Sequence, residues 1–537
     1  MLPEDIESYE ELRASFHWRI PDHFNISHAC LTRHAQAIPD QDALLIDNSE
    51  GADPLKLSWQ ELETRCQRVA GILTAVGVER GDRVAVQLPQ GWEALAVHLA
   101  TYRIGAIIVP LATQFGPEAI AYRIAKARPK VFIATAEALA RWRDAAREVT
   151  EQIIAFVVGE PNGKDRRFAE AFDQAKPYVD TAGTRPNDAA IILFTSGTTG
   201  QPKGVLHGHR VLLGHLPGIQ LAQERMPQEG DVFWTPSDWA WAGGLLNALL
   251  PALYFGVPVV AANASRFSAD WALSVLARNK ITNAFLPPTA IRIIASYSGQ
   301  APRLHLRAVG AAGEQLGAQT HKAASDIFKA PINEFYGQTE CNTVIGSSQA
   351  IGINNPASMG KATPGHEVQL LAEDGSFVQE GEGEIVIKAD TPVAMLEYFE
   401  DPEATAEKNV DGWIRTGDLA SRTSDGWFTF KSRNDDIITS AGYRIGPSEI
   451  EECLRSHDAV LEAAVIGITD DERTESVAAF VKITQEARQT ANIEQDLKDW
   501  VRNRLSAHLY PRSVEIVDHI PTTESGKIIR RAFRKRA

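Results

Sequence analysis

The segment FTSGTTGQPKG, from Phe194 to Gly204, combines Ser, Thr, Gly and a single Lys directly after the apolar run AAIIL. This order predicts a strand followed by a glycine-rich loop, and such loops bind phosphate because glycine lets backbone N–H groups converge on an anion. The loop does not match the P-loop pattern G-x-x-x-x-G-K-[ST], since Pro202 stands five residues after Gly197 and Lys203 is followed by Gly204. The segment therefore predicts phosphate chemistry in another class of nucleotide enzyme.

Five more polar segments follow apolar stretches and carry groups suited to a nucleotide. They are GEQL from Gly313, NEFYGQTE from Asn333 to Glu340, IRTGDL with Asp418, SRNDDIITSAGYRIGPSEIE from Ser432 to Glu451, and PTTESGKIIRR from Pro521 to Arg531. Ligands of open α/β sheets bind beyond the carboxyl ends of the strands, where such loops gather. Each segment alone is weak evidence for a nucleotide site, because a lone TGD is usually a turn and SGK is a common helix start.

The first half of the chain predicts the elements that position these loops. Ser58 and Glu61 form a capping-box pattern ahead of a helix, Arg83 to Pro89 is an apolar strand, and a helix from about Trp92 to Arg103 ends at Gly105. Near-continuous apolar strands separated by helices predict parallel sheets covered on both faces. The fold class is α/β, and this pattern continues to about residue 340.

The sequence pattern changes after about Gly365, from alternating helices and strands to short strands. Short β patterns, EVQLL, GEIVIK and GWFTF, predict a small β-barrel-like part of the large domain. Two strands, a helix from about Ile493 to Leu505, the strand SVEIV and a basic last helix then predict a small α+β domain with its own core. We place the boundary at Asp435, with residues 1–434 in the large domain and residues 435–537 in the small one.

Composition excludes several classes of protein. The 537 residues carry a formal net charge of −15, which argues against nucleic-acid binding because that needs a basic face. Cys30, Cys66, Cys341 and Cys453 have neither zinc-site nor redox-pair spacing, so we expect reduced thiols in a cytoplasmic protein. The acidic N-terminus lacks the pattern of a signal peptide, and the C-terminus FRKRA matches no peroxisomal or prenylation signal.

One uncharged segment, Trp239 to Ala262, is long enough to span a bilayer. We reject that interpretation because Pro251, Gly256 and Pro258 interrupt it. A helix from about Gly243 to Tyr254 and a buried strand from Pro258 to Ala262 explain the same residues. The sequence thus predicts no membrane span.

Taken in order, the polar segments resemble those of the adenylate-forming superfamily, from about residue 30 to residue 531. EFYGQTE, SAGYRIGPSEIEECL and YPRSVEIV are most similar to the short- and medium-chain acyl-CoA synthetases. The resemblance implies that ATP, Mg²⁺ and CoA take part: a carboxylate attacks the α-phosphorus of ATP, pyrophosphate leaves, and CoA then takes the acyl group. It is compatible with a homodimer and leaves the oligomeric state open.

The resemblance also assigns roles in adenylation. Pyrophosphate would be held by Thr195, Ser196, Thr198, Thr199 and Lys203. Glu340 would bind Mg²⁺, and Lys527 would reach the α-phosphate from the small domain. The expected catalytic residues are Lys527, Thr195 and Glu340. Tyr336 and Gly313–Gln315 would enclose adenine, and Asp418 would accept hydrogen bonds from the ribose beside Arg433. The other expected nucleotide contacts are Gly197, Gly200, Glu314, Glu334, Phe335, Gly337, Gln338, Thr339 and Arg444.

In the second half-reaction, members of the superfamily turn the small domain about a hinge that falls here on Asp435. The turn would withdraw Lys527 and bring the SAGYR face to the site. The expected CoA contacts are Gly442, Tyr443, Arg473, Arg502 and Tyr510. The chain departs from many relatives at Gln315 and Thr522, where Pro and Lys are common.

Gly337 and Trp239 bear on the acid that is activated. Acetyl-specific relatives have Trp where this chain has Gly337, so we expect space for an acyl group larger than acetyl. Trp239 is the expected wall of an apolar acyl slot, although both it and Trp241 could equally be core residues. This favours a short, branched, cyclic or thioether-bearing acid over a long fatty chain.

Other functions remain open at this point. A stand-alone adenylation enzyme that loads a carrier-protein thiol, an aryl-CoA ligase, a luciferase-like oxygenase and a non-catalytic ATP sensor share much of the pattern. His207 and His209 could suggest a metal pair, but no third ligand is spaced near them. The terminal RRAFRKR is interpreted as a solvated helix face.

Overall fold

The computed structural model describes residues 2–3, 6, 8–47, 53–145, 153–161, 165–195, 202–356, 358–440, 443–470, 474–489, 492–505, 509–523 and 527–534. At positions 435, 439, 443, 444 and 474 it describes the main chain alone. Seven of the site residues expected from the sequence lie outside these ranges: Ser196, Gly197, Thr198, Thr199, Gly200, Gly442 and Arg473.

The first part of the chain alternates helices and strands. Its elements are α1 Tyr9–Ser15, α2 Arg33–Ala37, β1 Asp42–Asp47, β2 Leu55–Ser58, α3 Trp59–Ala75, β3 Arg83–Gln87, α4 Trp92–Arg103, β4 Ile107–Pro110, α5 Pro117–Ala127, β5 Val131–Thr135, α6 Ala136–Ala145, β6 Ile154–Val158, β7 Arg166–Arg167 and α7 Phe168–Gln174. Helix α3 begins with the expected capping box, in which Ser58 and Glu61 bond each other's backbone N–H. Helix α4 has the expected bounds.

The next part supplies most of the loops that build the site. Its elements are β8 Ala189–Phe194, β9 Gly204–Gly208, α8 Val211–Ala222, β10 Phe233–Trp234, α9 Ala242–Gly244, α10 Leu250–Tyr254, β11 Val259–Ala262, α11 Ala269–Arg278, β12 Asn283–Phe285, α12 Pro288–Ala295, β13 Ala308–Ala311, α13 Ala318–Phe328, β14 Ile332–Gln338, β15 Cys341–Gly346 and β16 Lys361–Ala362. A π-helical turn, Leu245–Leu249, joins α9 to α10. Across the described ranges, no helix is long and apolar enough to cross a membrane.

Two sheets with parallel centres organise these elements. One has the order β20-β9-β8-β4-β3-β5-β6-β7, where β20 lies further along the chain at Glu397–Tyr398, and the other has the order β16-β15-β14-β13-β12-β10-β11-β1-β2. Pairing is parallel from β8 through β4 to β7 and from β14 to β1, and antiparallel at the edges. The glycine-rich loop therefore joins two antiparallel strands, β8 and β9.

A small antiparallel sheet follows. Its elements and neighbours are β17 Val368–Leu371, β18 Phe377–Val378, β19 Gly381–Lys388, β20 Glu397–Tyr398, α14 Pro402–Lys408, β21 Asn409–Val410, β22 Trp413–Arg422 and β23 Phe428–Arg433. Strand β22 pairs with β19, β21 and β23. The three β patterns read from the sequence lie in β17, β19 and β23.

The last part forms its own packed unit. A 3₁₀ turn, Asn434–Asp436, leads into β24 Ile438–Ser440, β25 Tyr443–Ile445, α15 Pro447–Arg455, β26 Val460–Asp470, β27 Thr474–Ile483, α16 Ile493–Arg504, β28 Ser513–Ile516 and α17 Arg531–Arg534. Buried residues of these elements, among them Ile450, Val465 and Leu497, form a separate core. The α/β architecture with a small α+β unit agrees with the fold class expected from the sequence.

Four buried cysteines are distributed through these cores. Cys30, Cys66, Cys341 and Cys453 are all free thiols. Burial raises the pKa of each of them, to about 12 for Cys66 and Cys341.

Candidate active site

Thr195 and Lys203 close the base of the glycine-rich loop. Phe194 and Gly204 face each other at the end of the β8–β9 pair. The backbone N–H of Thr195 donates to the carbonyl of Lys203 at 2.9 Å, and the N–H of Lys203 donates to Oγ1 of Thr195 at 3.3 Å. The two ends of the loop are thus held together, with the side chain of Lys203 exposed.

Glu340 lies against the same hairpin through strand β20. Its backbone carbonyl accepts from the N–H of Met395 at 2.8 Å, and Tyr398 is paired with Val205 of β9. The hydroxyl of Tyr398 donates to Oε1 of Glu340 at 2.6 Å, and Nζ of Lys203 lies 5.0 Å from the centroid of the same ring. Burial and the nearby Glu340 carboxylate raise the pKa of Tyr398, so its hydroxyl remains a donor. A cation, a phenol and a carboxylate therefore meet at one place.

The donor set at Glu340 fits Mg²⁺ as a partner of phosphate. In the part of the chain that the structure describes, no cluster of three or more His, Cys, Asp or Glu side chains could hold a metal ion. Mg²⁺ commonly binds one or two carboxylates and completes its shell with water and substrate phosphates. Glu340, a single buried carboxylate beside the glycine-rich loop, matches that mode of binding.

His207 fixes the residue that precedes Glu340. Its Nε2 donates to the carbonyl of Thr339 at 2.8 Å, since a carbonyl can only accept. Burial lowers the pKa of His207 to about 4, so the ring is neutral. His209 instead accepts from the backbone N–H of Ile26 at Nδ1, 3.2 Å away. The two histidines thus hold the backbone, and the metal-pair interpretation finds no support.

Asp418 collects donors from three directions. Tyr336 and Gln338 of β14 donate to its Oδ2 at 2.5 Å and 2.6 Å, and Arg433 donates to Oδ1 at 3.0 Å. Asp418 itself is buried on β22. A carboxylate offers about four acceptor positions, so a ribose hydroxyl can still donate to it. Strand β14 connects this cluster to Thr339 and Glu340.

The Gly313–Gln315 loop follows β13, next to Glu334 of β14. Arg292 holds it by donating to Glu314 at 2.9 Å and to the carbonyl of Gln315 at 3.1 Å. Glu334 accepts from the N–H of Leu316 at 3.1 Å, and burial raises the pKa of Glu334 to about 7. The loop is thus built on a buried acidic side chain.

Gln315 also reaches the small C-terminal unit. Its Nε2 donates to Oε2 of Glu452 on α15 at 3.2 Å. Phe335, in contrast, packs its ring into the core against Phe285, with ring centroids 5.8 Å apart. A direct nucleotide contact of Phe335 would therefore involve its backbone.

Gly337 does not face open space. A Cβ atom built on it would lie 2.4 Å from the backbone N of Thr343 and 2.5 Å from Cα of Asn342. A side chain at this position would therefore require the start of β15 to move, and the expected space for an acyl group larger than acetyl stays a prediction. Trp239 is buried in the main core with Phe285, and its role as a pocket wall stays a prediction.

The small unit carries Lys527 on an exposed hairpin. The N–H of Lys527 donates to Oγ1 of Thr523 at 3.0 Å, and the N–H of Thr523 donates back to the carbonyl of Lys527 at 2.6 Å. Within the described ranges, no hydrogen bond or ion pair joins Lys527 to Thr195 or Glu340. Its catalytic role therefore stays a prediction.

The residues expected at the hinge and at CoA are described only in part. Asp435 lies in the 3₁₀ turn Asn434–Asp436, and the side chains of Asp435, Tyr443 and Arg444 lie outside the described residues. Arg502 and Tyr510 do come together, with the guanidinium carbon 5.6 Å from the ring centroid. Arg512 lies on the same ring at 4.2 Å, a neighbour that sequence reasoning missed.

Two family models match the chain. Residues 31–399 match the AMP-binding enzyme family, and residues 449–527 match the AMP-binding enzyme C-terminal domain. The unmatched stretch between them contains β22, β23 and the Asn434–Asp436 turn.

Individual proteins are similar over almost the whole length. An uncharacterized acyl-CoA ligase of Bacillus subtilis, YtcI, is 32% identical over 93% of this chain and 94% of its own. The mitochondrial acyl-coenzyme A synthetase ACSM5 of Rattus norvegicus is 31% identical over 99% and 94%. The crystal structure of a benzoate CoA ligase from Burkholderia xenovorans superimposes with a TM-score of 0.84 at 26% identity, covering 95% of this chain and all (100%) of that one.

Proposed function

The chain belongs to the AMP-binding enzyme family and is a ligase, and we propose that it activates a short- to medium-chain carboxylic acid larger than acetate and transfers it to CoA. One observation supports this most strongly: Lys203, Tyr398 and Glu340 meet beside the closed base of the glycine-rich loop. The acyl-CoA ligase and synthetase names of the relatives agree with that chemistry.

In the proposed first half-reaction, the acid attacks the α-phosphorus of ATP and pyrophosphate leaves. Thr195, Lys203 and the loop between them hold the β- and γ-phosphates, and Lys527 stabilises charge on the α-phosphate. Mg²⁺ at Glu340 would supply charge neutralisation for the phosphates. Positioning and preorganised charge carry most of such a reaction, because there is little covalent work for the protein to do.

Adenosine recognition is proposed for the two clusters at either side of β14. The ribose hydroxyls would donate to Asp418, where Arg433 balances the charge of the carboxylate. Adenine would lie between Tyr336 and the Gly313–Gln315 loop, which Arg292 holds in place.

In the proposed second half-reaction, CoA attacks the acyl-adenylate after the small domain, residues 435–537, has turned about Asp435. Lys527 leaves the site during this turn. Arg502 and Tyr510, with Gly442, Tyr443 and Arg473, would contact CoA, whose phosphates need cations. We propose a cytoplasmic location, because four cysteines without a disulfide are typical of proteins in a reducing compartment.

The test is a screen for pyrophosphate release over a panel of carboxylic acids, followed by identification of the thiol product. We expect activity with C4 to C10 or branched acids to exceed that with acetate, and CoA to be the acceptor. Preference for benzoate would favour the aryl-CoA ligase alternative, and acylation of a carrier-protein thiol without CoA turnover would favour the adenylation-enzyme alternative. Absence of AMP with every acid would contradict the proposal.

A further inference from the structure

Arg530 forms a two-carboxylate clasp near the end of the chain. Its Nε and Nη2 donate to the two carboxylate oxygens of Glu451 at 2.9 Å and 2.7 Å. Its Nη1 donates to Oδ2 of Asp436 at 2.6 Å. The Glu451 side chain is only 3% exposed, and those of Arg530 and Asp436 are 16% and 17% exposed. We call these three residues the Arg530 clasp.

The clasp joins three parts of the small unit that are far apart in the sequence. Asp436 ends the 3₁₀ turn Asn434–Asp436, where the hinge is proposed. Glu451 lies on α15 and also accepts from the N–H of Val465 in β26 at 2.9 Å. The clasp thus links the hinge turn to the core of the small unit.

Arg530 itself directly follows the hairpin that carries Lys527. The N–H of Ile529 donates to the carbonyl of Pro521 at 2.9 Å, which closes the base of this hairpin. Lys527 is exposed and precedes Arg530 by three residues, so that Ile529, which closes the base, lies between them. The position of the Lys527 backbone relative to the hinge turn therefore depends on where Arg530 is held.

The chemistry of the clasp requires arginine. A guanidinium gives two parallel hydrogen bonds to one carboxylate and has further N–H groups for a second, whereas a lysine ammonium is a point charge on a flexible stem. Burial alone would lower the pKa of Arg530, but the carboxylates of Glu451 and Asp436 outweigh it and raise that pKa. The side chain is thus charged and directed at both partners.

We propose that Arg530 is a positioning residue for adenylation, because it fixes the Lys527 hairpin to the hinge turn so that both move as one piece. This proposal rests on the proposed function, in which Lys527 acts at the α-phosphate. It assigns to Arg530 no contact with substrate. Its effect should reach the reaction only through the place that Lys527 takes.

The test compares Arg530→Lys with Arg531→Lys, since Arg531 is the adjacent, exposed arginine. We measure pyrophosphate release from ATP and acid, and separately thioester formation from chemically made acyl-adenylate and CoA. For Arg530→Lys we expect adenylation to fall by roughly 10- to 100-fold, since a misplacement near 1 Å costs about that much. Thioester formation should stay near the wild-type rate, and Arg531→Lys should leave both rates unchanged.

Two results would overturn the proposal: equal loss of both half-reactions in a folded Arg530→Lys protein, which indicates a purely structural role, or no loss of adenylation. If Arg530→Lys does not fold, Asp436→Asn is measured instead, since it keeps the Arg530–Glu451 pair. It should also slow adenylation and spare thioester formation, with a smaller loss.

Lys527→Ala, measured in parallel, separates the proposed function from the proposed positioning role of Arg530. If Lys527→Ala leaves adenylation intact, the proposed function fails at that residue; if it abolishes adenylation while Arg530→Lys does not change it, only the positioning role fails.

Discussion

The phenolic hydroxyl of Tyr398 donates a hydrogen bond of 2.6 Å to Oε1 of Glu340, while the ring of Tyr398 lies under the ammonium of Lys203. Tyr398→Phe keeps the ring and removes the donor from a buried carboxylate. A hydrogen bond to a charged group contributes about 1.5–3 kcal/mol, so we expect adenylation to slow by roughly 10- to 100-fold. The measurement is pyrophosphate release as a function of Mg²⁺ concentration.

Tyr398→Leu is the matched comparison, because it removes the ring as well as the hydroxyl. We expect a larger loss than in Tyr398→Phe, with a raised KM for ATP, since Lys203 then loses its aromatic neighbour. Wild-type rates in Tyr398→Phe at every Mg²⁺ concentration would show that the phenol does not support Glu340.

Lys527→Ala should uncouple the two half-reactions. A preorganised cation at developing charge contributes about 3–4 kcal/mol, or roughly 10²–10³ in rate, and this applies only to adenylation. We expect pyrophosphate release to collapse, thioester formation from supplied adenylate and CoA to persist, and the melting temperature to stay unchanged because the side chain is exposed. Parallel loss of both steps in a folded variant would require another role for Lys527.

Gln315→Ala should loosen the contact between the large and the small unit. The lost hydrogen bond to Glu452, 3.2 Å long, contributes about 0.5–1.5 kcal/mol to the arrangement seen here. We expect the unliganded enzyme to populate that arrangement less, by a factor of about 2 to 10. Energy transfer between fluorophores on the two units measures this, and Glu452→Gln, which keeps an acceptor, serves as control. An unchanged distribution in Gln315→Ala would exclude the contact as a determinant.

Gly337→Ala should impair the enzyme for every acid alike. The added methyl group would lie 2.4 Å from a backbone atom of Thr343, and overpacking of this kind costs about 1–3 kcal/mol. We expect a lower melting temperature and a uniform drop in adenylation. Gly116→Ala is the control, since a Cβ there meets nothing within 4 Å and φ is −75°. A selective shift toward short acids would instead place Gly337 at the acyl group.

Stability should fall as the pH falls below 6.5. Burial lowers the pKa of five histidines to about 3 or 4: His98, His207, His209, His215 and His366. Around and below pH 6.5 the unfolded chain binds more protons than the folded one. The free energy of unfolding should therefore fall by about 1 kcal/mol for each of these histidines as the pH is lowered from 6.5 to 5.5. The contribution becomes constant about one pH unit above the unfolded pKa, because the unfolded histidines are then neutral as well.

Urea unfolding at pH 7.5, 6.5 and 5.5 checks the sign. Glu334 works in the opposite direction, because its pKa is raised to about 7 and it favours the folded state as it becomes protonated. The five histidines should outweigh it. A free energy of unfolding that stays level or rises from pH 6.5 to 5.5 would contradict the prediction.

Local patterns were sufficient for much of the architecture. The reciprocal hydrogen bonds of Ser58 and Glu61 lie within one helical turn, and the helix Trp92–Arg103 follows from periodicity and the glycine after it. The roles of the glycine-rich loop and Glu340, in contrast, were expected from a family resemblance and stay predictions. For the two helices, the determining interactions are short-range in sequence.

Contacts made by strand pairing could not be predicted. Tyr398 is 58 residues from Glu340 and reaches it only because β20 pairs with β9. The direction of the Gly337 Cβ depends on the turn into β15, which a residue type does not specify. Arg530 lay in a recognised segment, yet its carboxylate partners are 79 and 94 residues away.

The burial of all four thiols has a practical consequence at the bench. The four thiols are buried and their thiolate forms are disfavoured: Cys30, Cys66, Cys341 and Cys453. The native enzyme should therefore not react with a colorimetric thiol reagent. The free CoA that remains can then be titrated with that reagent in samples withdrawn from the reaction, without a background from the enzyme. The same reagent can measure the rate of unfolding, since each molecule that unfolds exposes four reactive thiols.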